Sequence, residues 1–317
     1  MPRPLRTPHT ASSSPGPAGL LRRRDLLALV PLAAARAAAE PPLVQQWRQI
    51  AKETDGTVGA AALDFNSDFR ASLNGPVRFP LASVCKVPIA MNMLALVDER
   101  KAYFDDLIEV LPDDVVTDVS PIAQRWPRER RFRLDEMLEL MIAQSDNTAV
   151  QTLYRVGGGT VALAGRFRQW QTEGIRIDRS ERQCGRDAHA SMRRFLADPR
   201  DTATPDATAE FLRRAFRGQL LSPASTARLV RMMRATSTGA GRIKSLLPPA
   251  TVVAHKTGTT ATVGGINGST NDVGVITFPG GAGQLAVAFY LKGSRRDLVA
   301  RELIIARLAK AAFDACQ

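Results

Sequence analysis

Strand-like segments in this chain cluster near its two ends, and the long stretch between them has helical periodicity. Near the start, Thr57-Val-Gly-Ala-Ala-Ala-Leu-Asp-Phe65 reads as a buried strand, Asn66-Ser67-Asp68 as a turn and Phe69–Leu73 as a returning strand. Near the end, Thr251–His255, Val273–Phe278 and Leu285–Leu291 read as strands, with Asn267-Gly268 and Pro279-Gly280-Gly281 as turns. From Ser83 to about Arg234 the apolar spacing is that of helices, clearest in Val87–Lys101, Leu134–Gln144, Thr148–Val156, Pro205–Arg217 and Pro223–Thr236. Leu43–Lys52 and Asp297–Phe313 are an opening and a closing helix. The economical way to bury such strands is one sheet built from both chain ends, with a helical block inserted in its middle. No internal repeat is present.

The first forty residues differ in composition from the rest. Arg22-Arg23-Arg24-Asp25-Leu26-Leu27 precedes an apolar stretch to Ala35, and Ala37-Ala38-Ala39 precedes Glu40. A basic run, an apolar run and small residues in that order predict a removed signal peptide over 1–39, and the paired arginines resemble a twin-arginine export signal. That segment carries six arginines and one aspartate, so part of the formal charge of +12 belongs to it. The other basic residues are interspersed with Asp and Glu and show no aromatic-interleaved stripe, which argues against nucleic-acid binding. No apolar run approaches a membrane span, so no membrane contact is expected after signal removal. The 317 residues suffice for a sizeable core. Cys85, Cys184 and Cys316 are too few and scattered for a disulfide framework or a zinc site, although an oxidised pair stays open. Of His9, His189 and His255, the first leaves with the signal and the others are read as structural.

Three short motifs carry the chemistry. Ser83 and Lys86 stand three residues apart at a helix start, so they share a face about 5–6 Å apart. A serine hydroxyl needs a nearby base to become a nucleophile, and a desolvated lysine beside other cations is able to lose its charge and serve. Ser145-Asp146-Asn147 follows at a helix-to-helix junction. A helix cap accounts for one of those residues, but not for a hydroxyl, a carboxylate and an amide together. His255-Lys256-Thr257-Gly258-Thr259 ends an apolar strand. An edge strand of that composition offers a fixed cation, a hydroxyl and close backbone approach to a carboxylate ligand.

S-x-x-K, S-D-N and K-T-G in this order resemble the penicillin-recognising serine hydrolases, and specifically the class A β-lactamases. Further matching stretches are Ile177-Asp178-Arg179-Ser180-Glu181, Asp201-Thr-Ala-Thr-Pro205, Gly241-Arg242-Ile243, Leu247-Pro248 and Asn271-Asp272-Val273. The resemblance runs from about residue 43 to the C-terminus. It implies the α/β class, of the α+β type. An antiparallel sheet (40–78 and 243–317) is flanked by helices, an all-helical domain (79–242) includes a glutamate-bearing loop (175–204), and the active site lies between them. It implies that Ser83 is acylated, that Lys86 and Glu181 share its activation, with Glu181 acting through a water, and that Ser145 passes a proton to the departing nitrogen in the field of Lys256. Asn147 is implied to bind the substrate side-chain amide. The backbone N–H groups of Ser83 and Thr259 are implied to form an oxyanion hole. Lys256, Thr257, Gly258, Thr259 and, from the Gly-Arg-Ile position, Arg242 are implied to bind the substrate carboxylate. No metal or cofactor is required; the expected partners are small-molecule β-lactams, and the expected state is a monomer in the periplasm.

Several positions depart from the family pattern. Gly185 stands where an Asn helps to hold the hydrolytic water, a gap that the longer loop lets Gln183 or another side chain fill. Gln151 stands where an Asn ties down the glutamate loop, and Val119 where an aromatic guards the entrance. The span from Arg179 to Asp201 is longer than usual, and Thr260–Gly268 is a further insertion. These features resemble the enlarged-loop subgroup that accepts bulky cephalosporins. The competing readings are a D,D-peptidase, penicillin-binding protein or esterase on the same scaffold, and a sensor that is acylated and trapped. Glu181 argues against the first, and Gly185 is the one feature that favours the sensor.

Overall fold

The computed structural model describes residues 41–317; the expected signal peptide over 1–39 lies outside them. Helix α1 (Pro42–Ala51) leads into the hairpin β1 (Thr57–Asp64) and β2 (Arg70–Leu73). After the short strand β3 (Phe79–Pro80), the helical block begins with α2 (Lys86–Asp98). The strands β4 (Leu107–Glu109) and β5 (Arg131–Arg133) bracket α3 (Pro121–Arg125), and α4 (Leu134–Ala143), α5 (Asn147–Val156) and α6 (Gly159–Gln169) follow. The loop over 175–204 holds α7 (Glu181–Ala190), α8 (Met192–Ala197) and β6 (Thr202–Ala203), ahead of α9 (Pro205–Phe216) and α10 (Pro223–Arg234). The chain closes with β7 (Val252–Thr259), β8 (Thr262–Val263), β9 (Ile266–Thr277), β10 (Gln284–Ser294) and α11 (Leu298–Asp314).

The main sheet has six strands in the order β2-β1-β10-β9-β7, with β8 paired to β9. Every pairing is antiparallel: Thr57 faces Lys292, Gln284 faces Thr277 and Thr259 faces Thr270. Both chain ends therefore build one sheet, because β1 lies directly against β10. Side chains alternate between the faces of a strand, and β10 shows how each face is used. Leu285, Val287, Phe289 and Leu291 join one core with residues of α1 and α11, whereas Ala286, Ala288 and Tyr290 join the larger core on the helical side. Strands buried on both faces explain the near-continuous apolar runs in the sequence. In the helical block, every residue of α2 from Lys86 to Ala95 is buried, so that helix is surrounded by protein.

Two local readings are corrected. Asn267-Gly268 is not a turn but part of β9, and the reversal falls at Gly264-Gly265, with φ of +59° and +76°. Positive φ at both central residues suits a tight hairpin and favours glycine. The Asn267 amide joins β9 to the link between β7 and β8 by donating to the Thr260 carbonyl at 2.8 Å. Ser83 lies in a 3₁₀ turn, Ala82–Cys85, and the α-helix starts at Lys86.

Trp47 joins the two ends of the chain. Its fully buried indole donates to the Leu308 carbonyl at 3.0 Å and meets Phe289 edge-on at 6.1 Å between ring centroids. Trp47→Ala is expected to lower unfolding stability by about 3–5 kcal/mol through the cavity it leaves. Urea denaturation checks this, and a change below about 1 kcal/mol would show that α1 adds little to the sheet.

Candidate active site

The turn bearing Ser83 is held by close backbone packing. A Cβ on Gly258 would come within 2.8 Å of the Leu81 carbonyl oxygen and 3.2 Å of the Ser83 nitrogen, so only glycine lets β7 lie against this turn. From the neighbouring strand, the Asn271 amide donates to the carbonyls of Pro80 at 2.8 Å and Leu81 at 3.0 Å. Ala82 holds φ at +48°, a left-handed conformation that is costly for a residue with a Cβ and that surrounding contacts must enforce.

Below Ser83 lie two fully buried lysines, Lys86 and Lys256. The Lys86 ammonium donates to the Ser145 carbonyl at 2.7 Å, the Ser145 hydroxyl at 3.1 Å and Asn147 Oδ1 at 2.6 Å. The Lys256 ammonium donates to the same Ser145 hydroxyl at 3.0 Å and to the Thr257 carbonyl at 3.0 Å. With two N–H groups occupying its lone pairs, the Ser145 O–H is directed away from both lysines. Ser145 reaches this place with φ at +60°, and the Asp146 carboxylate caps α5 by accepting from the Ala149 N–H. Burial, and then the charge of Lys86, push the Lys256 ammonium down to about 7, with Glu181 and Asp272 opposing.

Glu181 Oε2 stands 3.6 Å from the Lys86 ammonium and is buried without a hydrogen bond. Its loop hangs on Arg179, which is buried and pairs with Asp201 at 2.5 Å, with Asp198 at 3.3 Å and with Asp187. Burial alone would lower the Arg179 pKa, but hydrogen bonds to Asp201 and Asp187 raise it instead. Asp201 Oδ1 also accepts from the Asp178 and Arg179 backbone N–H groups at 2.7 and 2.9 Å. The ion pair between Arg179 and Asp201 thus closes the loop. Gln183 serves differently from expectation: its side chain returns to the Ser180 N–H at 3.0 Å and completes a capping box on α7. Gln151 Oε1 is buried without a partner, so it does not tie down the loop. The ties present are Thr160 Oγ1 to the Asp178 carbonyl at 2.9 Å and Arg182 Nη2 to the Val115 carbonyl at 2.7 Å. A Cβ at Gly185 would touch nothing within 4 Å.

Arg242, also buried, runs beneath β7. It pairs with Glu302 at 3.0 Å and donates to the Asn271 carbonyl at 2.7 Å, to the Gly258 carbonyl at 3.2 Å and to Thr259 Oγ1 at 2.6 Å. Thr257 Oγ1 lies 2.6 Å from Thr238 Oγ1. Asn147 places its amide nitrogen on the Asp118 carbonyl at 2.9 Å. One cavity of about 690 Å³ is lined by Ser83, Ser145, Asn147, Glu181, Arg242 and Thr259, among others. Ten candidate residues thus surround a single cleft or support its wall. Sequence reasoning gave no role to Thr238 or Arg182, since neither stands in a motif, and it quoted Asn271 only as a match. His255 is fully buried with Nδ1 2.9 Å from Asp272, as suits a structural residue, whereas His189 is exposed and lines the cavity. The three cysteines are free thiols, and burial raises the pKa of Cys85 and Cys184.

Comparison with known proteins agrees with this geometry. The family model described as the beta-lactamase enzyme family matches residues 42–316. The chain is 31% identical over 271 residues to beta-lactamase VEB-1 of Pseudomonas aeruginosa, covering 84% of this chain and 88% of that protein. A crystal structure of a beta-lactamase from Chitinophaga pinensis superposes with a TM-score of 0.81 at 30% identity, covering 87% of this chain and 100% of that one. An ancestral class A beta-lactamase gives 0.77 at 35% identity, covering 86% and 99%. With its motifs gathered in one cleft and its whole described length matched, this chain belongs to the β-lactamase enzyme family and is a hydrolase of the class A type acting on β-lactams.

Proposed function

We propose that Ser83 attacks the β-lactam carbonyl and that the acyl-enzyme is hydrolysed by a water activated by Glu181. The observation that carries this reading is the buried relay beneath Ser83, in which Lys86 reaches Ser145 Oγ at 3.1 Å and Glu181 at 3.6 Å. A lysine set between a carboxylate and a hydroxyl is able to pass protons either way, and Ser145 is placed to hand one to the departing ring nitrogen. The N–H groups of Ser83 and Thr259 serve the developing oxyanion. Lys256, Thr257 and Thr259 take the ring carboxylate, and Arg242 acts through the Thr259 hydroxyl that it orients. Asn147 takes the side-chain amide. The basic and apolar run over 1–39 supports export to the periplasm by the twin-arginine route, where the enzyme acts as a monomer.

Four outcomes test this assignment. Ser83→Ala should abolish the acyl adduct seen by intact mass spectrometry with a penicillin; a persisting adduct moves the nucleophile elsewhere. Glu181→Gln should preserve acylation and slow deacylation by about 10²–10⁴-fold, read by stopped flow. If the wild type gives one stoichiometric burst without turnover, the trapped sensor replaces the enzyme. Arg242→Ala should raise KM by the equivalent of about 1.5–3 kcal/mol, and unchanged kinetics at low salt would remove Arg242 from carboxylate binding.

The pH profile follows from Lys256. Its ammonium is protonated below about 7 in the free enzyme, so the cation facing the substrate carboxylate is lost as pH rises through that value. Since kcat/KM reports free-enzyme groups, it should decline above about pH 7. The bound carboxylate favours the charged ammonium, so the corresponding limb of kcat should lie at higher pH. Coincident limbs would assign the titration to another group.

A further inference from the structure

Helix α7 turns a row of basic side chains toward the cleft. Arg182, Arg186 and His189 are spaced four and three residues apart, which puts them on one helical face, and all three line the cavity that holds Ser83. Gly185 shares that face and lines the same cavity, and the space beside it is open, since a Cβ there would touch nothing within 4 Å. Among the described residues, none of these three basic side chains is paired with a carboxylate. Arg182 donates only to the Val115 carbonyl, and its buried Nε has no partner. Among the described residues Arg186 and His189, both exposed, form no hydrogen bond or ion pair. The neighbouring acids are committed elsewhere: Asp187 to Arg179 and Arg200, Asp201 to Arg179, and Glu181 to Lys86. Among the described residues that line the cavity, the exposed Asp118 is the remaining acid.

The cleft has two ends. Thr257 and Thr259, the latter oriented by Arg242, supply donors at one, and Asn147 lies toward the wall formed by α7 and residues 115–119. A β-lactam whose ring carboxylate takes the first end places its acylamino side chain at the second. We propose that the α7 face bearing Arg182, Arg186 and His189, opened by Gly185, is a subsite for a carboxylate on that side chain, so that the enzyme favours β-lactams with an anionic side chain over their neutral counterparts. This rests on the hydrolytic reading above and adds the substrate class. Arg182 and Arg186 hold the added carboxylate by charge-assisted hydrogen bonds and draw it in by their field.

The test compares benzylpenicillin with α-carboxybenzylpenicillin, which differ by one side-chain carboxylate. The readout is the ratio of their kcat/KM values. Arg182→Gln combined with Arg186→Gln should lower that ratio by about three- to tenfold, mainly through KM of the carboxylated substrate. Arg186→Lys should retain most of the ratio, because the charge remains. Raising NaCl from about 50 to about 500 mM should reduce the wild-type ratio and leave that of the double variant nearly constant. Arg186→Gln alone is exposed and unpaired, so it keeps the test readable if the double variant folds poorly. A ratio indifferent to these variants and to salt overturns the subsite while leaving hydrolysis intact. Absence of benzylpenicillin turnover would instead overturn the hydrolytic reading itself.

Discussion

Two ammonium groups buried around one hydroxyl set the terms for the rest of this molecule. Removing a charge from water costs several kcal/mol unless good acceptors replace the solvent. Lys86 meets that cost with three oxygen acceptors and the nearby Glu181 carboxylate. Lys256 has two acceptors, and burial, then the like charge of Lys86, hold its ammonium at about 7. Apart from the Thr257 carbonyl on β7 and the Glu181 carboxylate, these acceptors come from the junction of α4 and α5, and one of the lysines comes from β7. Sheet and helices must therefore close on each other for either charge to be accommodated.

The same logic organises the loop that carries Glu181. Nothing in its composition makes it compact: α7 and α8 are short and the apolar cluster beneath them is small. The loop folds around a buried guanidinium whose neighbours are three aspartates, with Asp201 also taking two backbone N–H groups. Anchoring at its base leaves the face of α7 to be chosen by function. That freedom explains how a glycine and basic side chains without carboxylate partners persist in the cleft that Ser83 lines.

The proposed turnover needs Glu181 in register with Ser83 although the two arrive from elements far apart in sequence. Gly258 and Asn271 hold the serine turn against the sheet, and the Arg179 cluster holds the glutamate turn. Gly185 removes a side chain from this region without disturbing either anchor, since its Cβ position faces open space.

Much of this was legible in the sequence. The strands at both ends follow from continuous apolar runs, and the helices from their period, because burial imposes both patterns locally. Ser83, Lys86, Ser145 and Lys256 stand out because the chemistry needs fixed residue types at short spacing. Less visible was whatever depends on partners distant in the chain. Asn267-Gly268 has turn composition, yet pairing with β10 and β8 draws it into β9. Gln183 has the chemistry to hold a water, yet the N-terminus of α7 claims it as a cap. Thr238 and Arg182 carry no motif, and only the folded chain brings them to the cleft. Residue types and local spacing thus determined the fold class and picked out the candidate reacting groups. The tertiary structure decided which donors are already committed and which remain free, because a hydrogen bond or ion pair between distant residues leaves no periodic trace in sequence.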